Sequence, residues 1–161
     1  MEYQFTIMTQ EQAEYIAFTW HYEGEYSFYD MEADKEDLAE FLNPETRGET
    51  TFAVIKEEEL IGFLSVMKVG RNIADIGLGL KPALTGRGMG SPFLEAAIDF
   101  VKTEFQAEKI TLSVAAFNQR AIKVYRNIGF EEVGIMMQET NGGTFEFLKM
   151  ELNKAMKNSL G

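Results

Sequence analysis

The stretch Leu84-Thr85-Gly86-Arg87-Gly88-Met89-Gly90-Ser91-Pro92 constrains this chain more than any other. It lies between an apolar segment that reads as a strand, Ile73–Leu80, and a helical stretch at residues 92–105. In that stretch Leu94, Ile98, Val101 and Phe105 share one face and Glu95, Asp99, Lys102 and Gln106 the other. Three glycines leave several backbone amides unobstructed at the N-terminus of this helix, where the macrodipole adds about half a positive charge. Pro92 fits in the first turn, because its missing amide would have had no intrahelical acceptor. The turn is therefore an anion cradle suited to a phosphate or diphosphate, and Arg87 sets a guanidinium at its edge. The same glycines also suit a plain strand-to-helix connection that binds nothing. The Walker loop requires Gly-Lys-Ser/Thr, and no lysine stands here. The dinucleotide fingerprint requires a glycine at its sixth position, where this chain has Ser91. Spacing thus disfavours a nucleotide-binding domain.

The remaining segments supply a frame for that turn. Residues 3–8 alternate, with Tyr3, Phe5 and Ile7 on one side of a half-buried strand. Thr9-Gln10-Glu11-Gln12 has capping-box spacing and opens a helix with Ala13, Ile16, Ala17 and Trp20 inward. Asp34 caps a second short helix that gathers Leu38, Phe41 and Leu42 and stops before Asn43-Pro44. Between these helices lies an irregular aromatic loop, residues 20–31. Thr51–Lys56 and residues 60–69 form a hairpin around Glu57-Glu58-Glu59. In the next strand Gly77 and Gly79 mark a bulge or a ligand's close approach. Ile110, Leu112 and Val114 alternate as a strand. Asn118 caps a helix over residues 118–128 that closes at Gly129. Residues 130–138 and 144–152 form a last hairpin around Asn141-Gly142-Gly143.

A chain of 161 residues buries about 70% of its unfolded surface, enough for one core without crosslinks. Fifteen Lys and Arg against 26 Asp and Glu give a net charge of −11. That balance argues against a nucleic-acid backbone as partner and favours a cationic or small neutral ligand. Cysteine is absent and His21 stands alone, which excludes disulfides, thiolate catalysis and multi-histidine metal sites. No stretch approaches the roughly 20 apolar residues of a membrane span. The N-terminus lacks the basic flank and apolar run of a secretory signal, so a cytoplasmic location is expected.

Two blocks resemble a known family. Thr85-Gly86-Arg87-Gly88-Met89-Gly90 matches, apart from its first position, the acyl-CoA loop of the GNAT N-acetyltransferases: Gln or Arg, two residues, Gly, one residue, Gly or Ala. The segment Asn118-Gln119-Arg120-Ala121-Ile122-Lys123-Val124-Tyr125-Arg126-Asn127-Ile128-Gly129-Phe130 resembles the family's second block, where an Asn, an Ala, a Tyr and a terminal Gly-Phe recur at these offsets. The element order is similar too, so the likeness covers nearly the whole chain. It implies an α/β fold, a mixed and mostly antiparallel seven-stranded sheet with about four helices. Residues 1–161 are then one domain, frayed from about residue 154 onward.

The resemblance also implies a chemistry. An amine attacks the thioester of acetyl-CoA directly, within one ternary complex and without a metal. The acceptor is a small molecule, a polyamine or a peptide N-terminus, and the chain is a monomer or a homodimer. The absence of cysteine agrees, since no cysteinyl acyl-enzyme can form. Leu80, Thr85, Gly86, Arg87, Gly88, Met89, Gly90, Ser91, Asn118 and Tyr125 are the residues expected to hold the acyl-CoA, chiefly through backbone amides at 86–91. A bulge at residues 76–80 would part the sheet for the pantetheine arm; alternatively, or as well, Gly77 and Gly79 relieve crowding under a helix. The Leu78 amide would then face the thioester carbonyl, and losing such a donor costs about 3–4 kcal/mol elsewhere. Tyr125 would protonate the leaving sulfur, the alternative being a tyrosine packed between helix and sheet. Asn118 contacts the pantetheine, caps its helix, or does both. Trp20, Tyr26 and Tyr29 would line the acceptor pocket with Glu23, Glu25 and Asp30, holding a cation by cation–π and ionic contacts. Alternatively these rings merely cover the sheet end. The general base is unassigned: Ser113 stands where some relatives have Glu, and Asp75, Glu23, Glu25 or a water chain remain, with His21 more simply packed. Thr85 departs from the family's Gln or Arg, which leaves room for a rival reading, a non-catalytic acyl-CoA-binding sensor.

Overall fold

The computed structural model describes residues 2–153. Strand β1 (Tyr3–Ile7) leads into helix α1 (Gln10–Thr19), and the aromatic loop winds into two 3-10 turns, Gly24–Tyr29 and Met31–Ala33. Then follow α2 (Lys35–Leu42), the single turn α3 (Pro44–Arg47), and strands β2 (Thr51–Lys56), β3 (Glu59–Gly70) and β4 (Ile73–Leu80). After a 3-10 turn at Pro82–Leu84 come α4 (Gly90–Phe105), β5 (Lys109–Ala115), α5 (Gln119–Ile128), β6 (Glu131–Thr140) and β7 (Gly143–Asn153). The strands form one sheet in the order β1-β2-β3-β4-β5-β7-β6. The β4–β5 pair is parallel and its neighbours in the sheet are antiparallel.

Local chemistry sets most boundaries. Thr9 and Gln12 make the expected reciprocal capping box at α1. Asp34 accepts from the Asp37 amide at α2, and Asn118 from the Ala121 amide at α5. The β2–β3 turn places Glu57 and Glu58 at φ 51° and 66°, and the β6–β7 turn puts Asn141 and Gly142 at φ 52° and 77°. Both are the left-handed pairs that suit the twist of a hairpin.

The sheet is packed on both faces. On one, α4 and α5 bury Leu94, Ile98, Val101 and Ile122 against Leu64, Ile110, Leu112 and Met150. On the other, Ala13, Ile16 and Trp20 of the α1 segment pack with Met8, and Phe41 and Phe63 close over them.

Several expectations shift. Tyr3 and Phe5 are half-buried, but Ile7 is exposed because β1 is an edge strand and its inward side is spent by then. The helix after the glycine turn starts at Gly90, two residues before Pro92. Among the described residues the four expected helices are joined by the single turn α3 and three 3-10 turns, two of which lie in or beside the irregular aromatic loop, which has no helical period. The fraying expected from about residue 154 lies outside the described residues. No bulge falls at 76–80: the β3–β4 ladder runs unshifted from Gly62↔Leu80 to Lys68↔Ala74. Gly77 and Gly79 instead make room for β3 side chains, since a Cβ would lie 2.7 Å from Ser65 Oγ and 2.0 Å from the Phe63 ring, respectively. Opening of the sheet has a different origin, described next.

Candidate active site

β4 and β5 pair only at Ile73↔Lys109, Ala74↔Ile110 and Asp75↔Thr111, and then separate. Thr111 Oγ1 donates to Asp75 Oδ1 at 2.6 Å, and Lys149 Nζ reaches the same oxygen at 3.3 Å, pinning the fork. Beyond the fork a cleft of about 730 Å³ runs through the sheet. Its walls therefore include residues from both faces of β4, such as Ile76 and Leu78 on one and Gly77 and Gly79 on the other.

Hydrogen-bond phase decides which backbone groups look into the split. Lys81 N–H donates to Ile61 O, which makes Gly62↔Leu80 and Leu64↔Leu78 non-hydrogen-bonded pairs. The amides and carbonyls of Leu78 and Leu80 thus turn away from β3, toward the side that β5 has left. On the opposite wall, Ala116 N–H donates to Glu146 O, so the Ala115 amide likewise turns from β7 toward the split. Two tyrosines of the aromatic loop occupy such edge groups. The Tyr22 hydroxyl donates to Leu80 O at 2.7 Å, and the Tyr29 oxygen accepts from Ala115 N–H at 3.3 Å. Strand edges inside a protein need partners; here side chains meet that need at the far end and leave the Leu78 amide facing the cleft.

At one mouth lies the glycine turn. Thr85, Gly86, Gly88, Gly90 and Ser91 line the cleft there. Gly86 and Gly88 have φ of 73° and 75°, and a Cβ on Gly88 would meet nothing within 4 Å. Their glycines therefore serve backbone conformation and clearance, not packing. α4 begins with no side-chain cap and no acidic residue in its first turn, so its leading amides are free for an anion. The Thr85 hydroxyl donates back to Pro82 O at 2.7 Å and stabilises the loop. Arg87 is exposed, and neither it nor Met89 lines the cleft. The cation at this mouth is Arg120, whose Nη1 lies 3.3 Å from where a Gly86 Cβ would be and whose guanidinium sits 4.2 Å over the Tyr26 ring.

Midway along the cleft, α5 presents Asn118 and Tyr125, two turns apart on one helical face. Asn118 does double duty, capping α5 with its oxygen and donating Nδ2–H to the Tyr29 hydroxyl at 3.3 Å. The half-buried Tyr125 packs its ring on Phe130. Burial, then the nearby Tyr29, hold its phenol well above the ordinary range. Burial likewise raises Tyr29, against the two hydrogen bonds it accepts.

The other mouth is aromatic and acidic. Phe28 lies edge-on to Tyr29, Phe117 and Phe145. Asp30, Asp37 and Glu40 are the carboxylates lining the cleft among the described residues. Asp37 is raised above its ordinary value by burial, then by like charges on Asp34, Glu40 and Glu36.

Leu78, Leu80, Thr85, Gly86, Gly88, Gly90, Ser91, Asn118, Tyr125, Tyr26 and Tyr29 thus converge on one cleft. Trp20 does not: it is 4% exposed in the second core cluster, where the inward face of α1 carries it away from the pocket. Tyr26 offers one ring face to Arg120 instead of leaving it free. Among the acids and bases considered, Asp75 is engaged at the fork, Glu23 and Glu25 are exposed off the cleft, and His21 pairs with Glu32 on the surface at 2.8 Å. Sequence reasoning missed Tyr22, Asp37, Glu40 and Arg120. Arg120 had a visible signal, a cation two residues past a helix cap in the second block; Tyr22 had none, because its partner is a backbone carbonyl 58 residues away.

Comparison with known proteins places this geometry. The chain is 30% identical over 80 residues to an N-alpha-acetyltransferase RimI of Mycobacterium tuberculosis, covering 47% of this chain and 48% of that protein. It is 27% identical over 85 residues to a spermidine N(1)-acetyltransferase of Vibrio cholerae, covering 52% and 49%. The chain thus spans about half the length of the curated relatives it matches. Among solved structures, spermidine N-acetyltransferase from Vibrio cholerae in complex with CoA and spermine superposes with a TM-score of 0.74, at 19% identity, over 97% of this chain and 98% of that one. A chimera of that enzyme gives 0.75 at 21% identity, over 99% of both chains. These likenesses establish a shared fold. The family model described as an acetyltransferase (GNAT) domain matches residues 3–131, which take in β1 through α5 and with them both walls of the split and the glycine turn, and the chain therefore belongs to that family.

Proposed function

We propose that this chain transfers acetyl from acetyl-CoA to a primary amine by direct attack in a ternary complex. The observation that carries the reading is the through-sheet cleft, which joins an uncapped helix N-terminus at one mouth to an acidic, aromatic wall at the other. The free amides from Gly86 to Ser91 seat the diphosphate, and Arg120 supplies the cation that Thr85 does not. The pantetheine arm lies between β4 and β5, held beside Asn118. The Leu78 amide donates to the thioester oxygen as negative charge develops there. As the C–N bond forms and the C–S bond breaks, Tyr125, a phenol protonated at neutral pH, gives its proton to the departing sulfur. The proton lost by the attacking nitrogen passes through water in the cleft and restores the phenol. Asp30, Asp37 and Glu40 draw in a cationic acceptor. A polyamine fits this wall well, in line with the spermidine acetyltransferases to which the chain is similar.

A panel of amines with acetyl-CoA, followed by release of free thiol, tests the proposal. Polyamines are expected to turn over faster than neutral-headed monoamines of the same length. Tight acetyl-CoA binding with no turnover on any amine would refute it and leave a cofactor sensor.

A further inference from the structure

We infer that Asp34, Gln10 and Arg47 are positioning residues for the acceptor, clamping both ends of α2 where it lines the cleft. This rests on the acetyl-transfer reading above, but it is drawn from residues that do not enter the chemistry.

α2 is eight residues long and has no fully buried side chain. A helix this short is not stable alone, and its apolar hold is Phe41, packed on the Met8, Ala13, Ile16 and Trp20 cluster, with Leu38 and Leu42 half-buried. Phe41 leans on Phe63 with ring centroids 5.5 Å apart. Yet Asp37, Glu40 and Phe41 all line the cleft, so the helix must be held in place.

Its ends show how. At the N-terminus, Asp34 Oδ1 accepts from the Asp37 amide at 2.9 Å, while Oδ2 accepts from the Thr140 hydroxyl at 3.0 Å and the Asn141 amide at 2.9 Å. One carboxylate thus ties the first turn of α2 to the tip of the β6–β7 hairpin. Asn141 in turn donates Nδ2–H to Phe28 O at 2.7 Å, drawing the aromatic loop into the same knot. At the C-terminus, Arg47 Nη1 donates to Phe41 O at 2.6 Å and Nη2 to Gln10 Oε1 at 2.7 Å. Gln10 Nε2 donates to Leu42 O at 3.0 Å. Two of the orphan carbonyls that end a helix are thereby satisfied from outside it.

Arg47 is the unusual member. It is 5% exposed, and among the described residues it forms no salt bridge. Burying a cation with no carboxylate in direct contact is costly, and the nearby acid, Glu14, reaches it only across Gln10, which donates to Glu14 Oε2 at 3.2 Å. The negative end of the α2 dipole and the charge of Glu14 each offset part of that cost, the first only while α2 keeps its place. The cation and the helix therefore hold each other, and Arg47 itself lines the cleft with Asp37 and Glu40.

Asp34→Ala and Gln10→Ala remove one clamp each from exposed or half-exposed positions. Arg47→Gln cuts the second clamp at its centre. Steady-state kinetics with spermidine and acetyl-CoA, alongside thermal melting, provide the readout. Each variant is expected to raise the KM for spermidine about five- to tenfold, the loss of one or two hydrogen bonds, with kcat and the acetyl-CoA KM within about twofold. Should Arg47→Gln fail to fold, the other two variants decide. Amine KM unchanged in variants that fold overturns the clamp. So does a rise in both KM values alike, which would mark a general loosening. If the unaltered chain acetylates no amine, the parent reading falls and the clamp falls with it; if it acetylates amines and the clamp variants match it, the clamp alone falls.

Discussion

Tyr125 sits in the wall of the cleft with its phenol held above the ordinary range by burial. A group so placed stays protonated across the neutral range, as an acid for a thiolate must. Tyr125→Phe is therefore expected to lower kcat by about 100- to 10,000-fold while acetyl-CoA affinity, measured by calorimetry, stays within about threefold. A variant with unaltered kcat would remove Tyr125 from the chemistry. Tyr125 was singled out by the resemblance of residues 118–130 to the family's second block, and its place in the cleft wall follows from lying two helical turns after the Asn118 cap. The fates of its neighbours were not legible. Trp20 and Tyr26 belong to the same aromatic run, and only tertiary packing sends the first into the core and gives the second to Arg120.

At the scale of elements, caps and turns were readable because their chemistry is local: Thr9 with Gln12, Asp34 with Asp37 and Asn118 with Ala121 each act within four residues. The β2–β3 turn adds a test. Glu57 and Glu58 adopt positive φ, where Asn and Gly are at ease and glutamates are strained and mutually repelled. Replacing Glu57-Glu58 by Asn-Gly is expected to raise stability by about 1 kcal/mol, read as a higher denaturation midpoint. A lower midpoint would mean these acids make contacts that matter more than backbone strain. The opening of the sheet, by contrast, was misattributed to a glycine bulge. Gly77 and Gly79 look the same in sequence whether they kink a strand or clear space for Ser65 and Phe63. Where β4 and β5 part depends on pairing partners about 36 residues apart, which no local pattern encodes.

Across the whole molecule, the net charge of −11 and the acidic mouth agree in favouring a cationic ligand. Half-exposed Asp34 and exposed His21 contribute to a pH dependence of stability. Asp34 has its folded-state pKa lowered, first by the Asn141 amide and then by the Asp37 amide. Its contribution is therefore present above about pH 4 and is lost as pH falls through the lowered value. His21 is raised by its bond to Glu32, so its contribution is complete below about pH 6.5 and is lost as pH climbs past the raised value. Melting temperatures between pH 3 and 8 are expected to show both limbs, and Asp34→Asn to flatten the acid one alone; an unchanged acid limb would contradict the hydrogen bonding at Asp34.

A crystal structure of this chain grown with acetyl-CoA reaches the centre of the account. The diphosphate is expected on the amides of residues 86–91, with the acetyl oxygen at the Leu78 N–H inside the β4–β5 split. A diphosphate bound elsewhere, or an acyl arm lying outside the split, would contradict it.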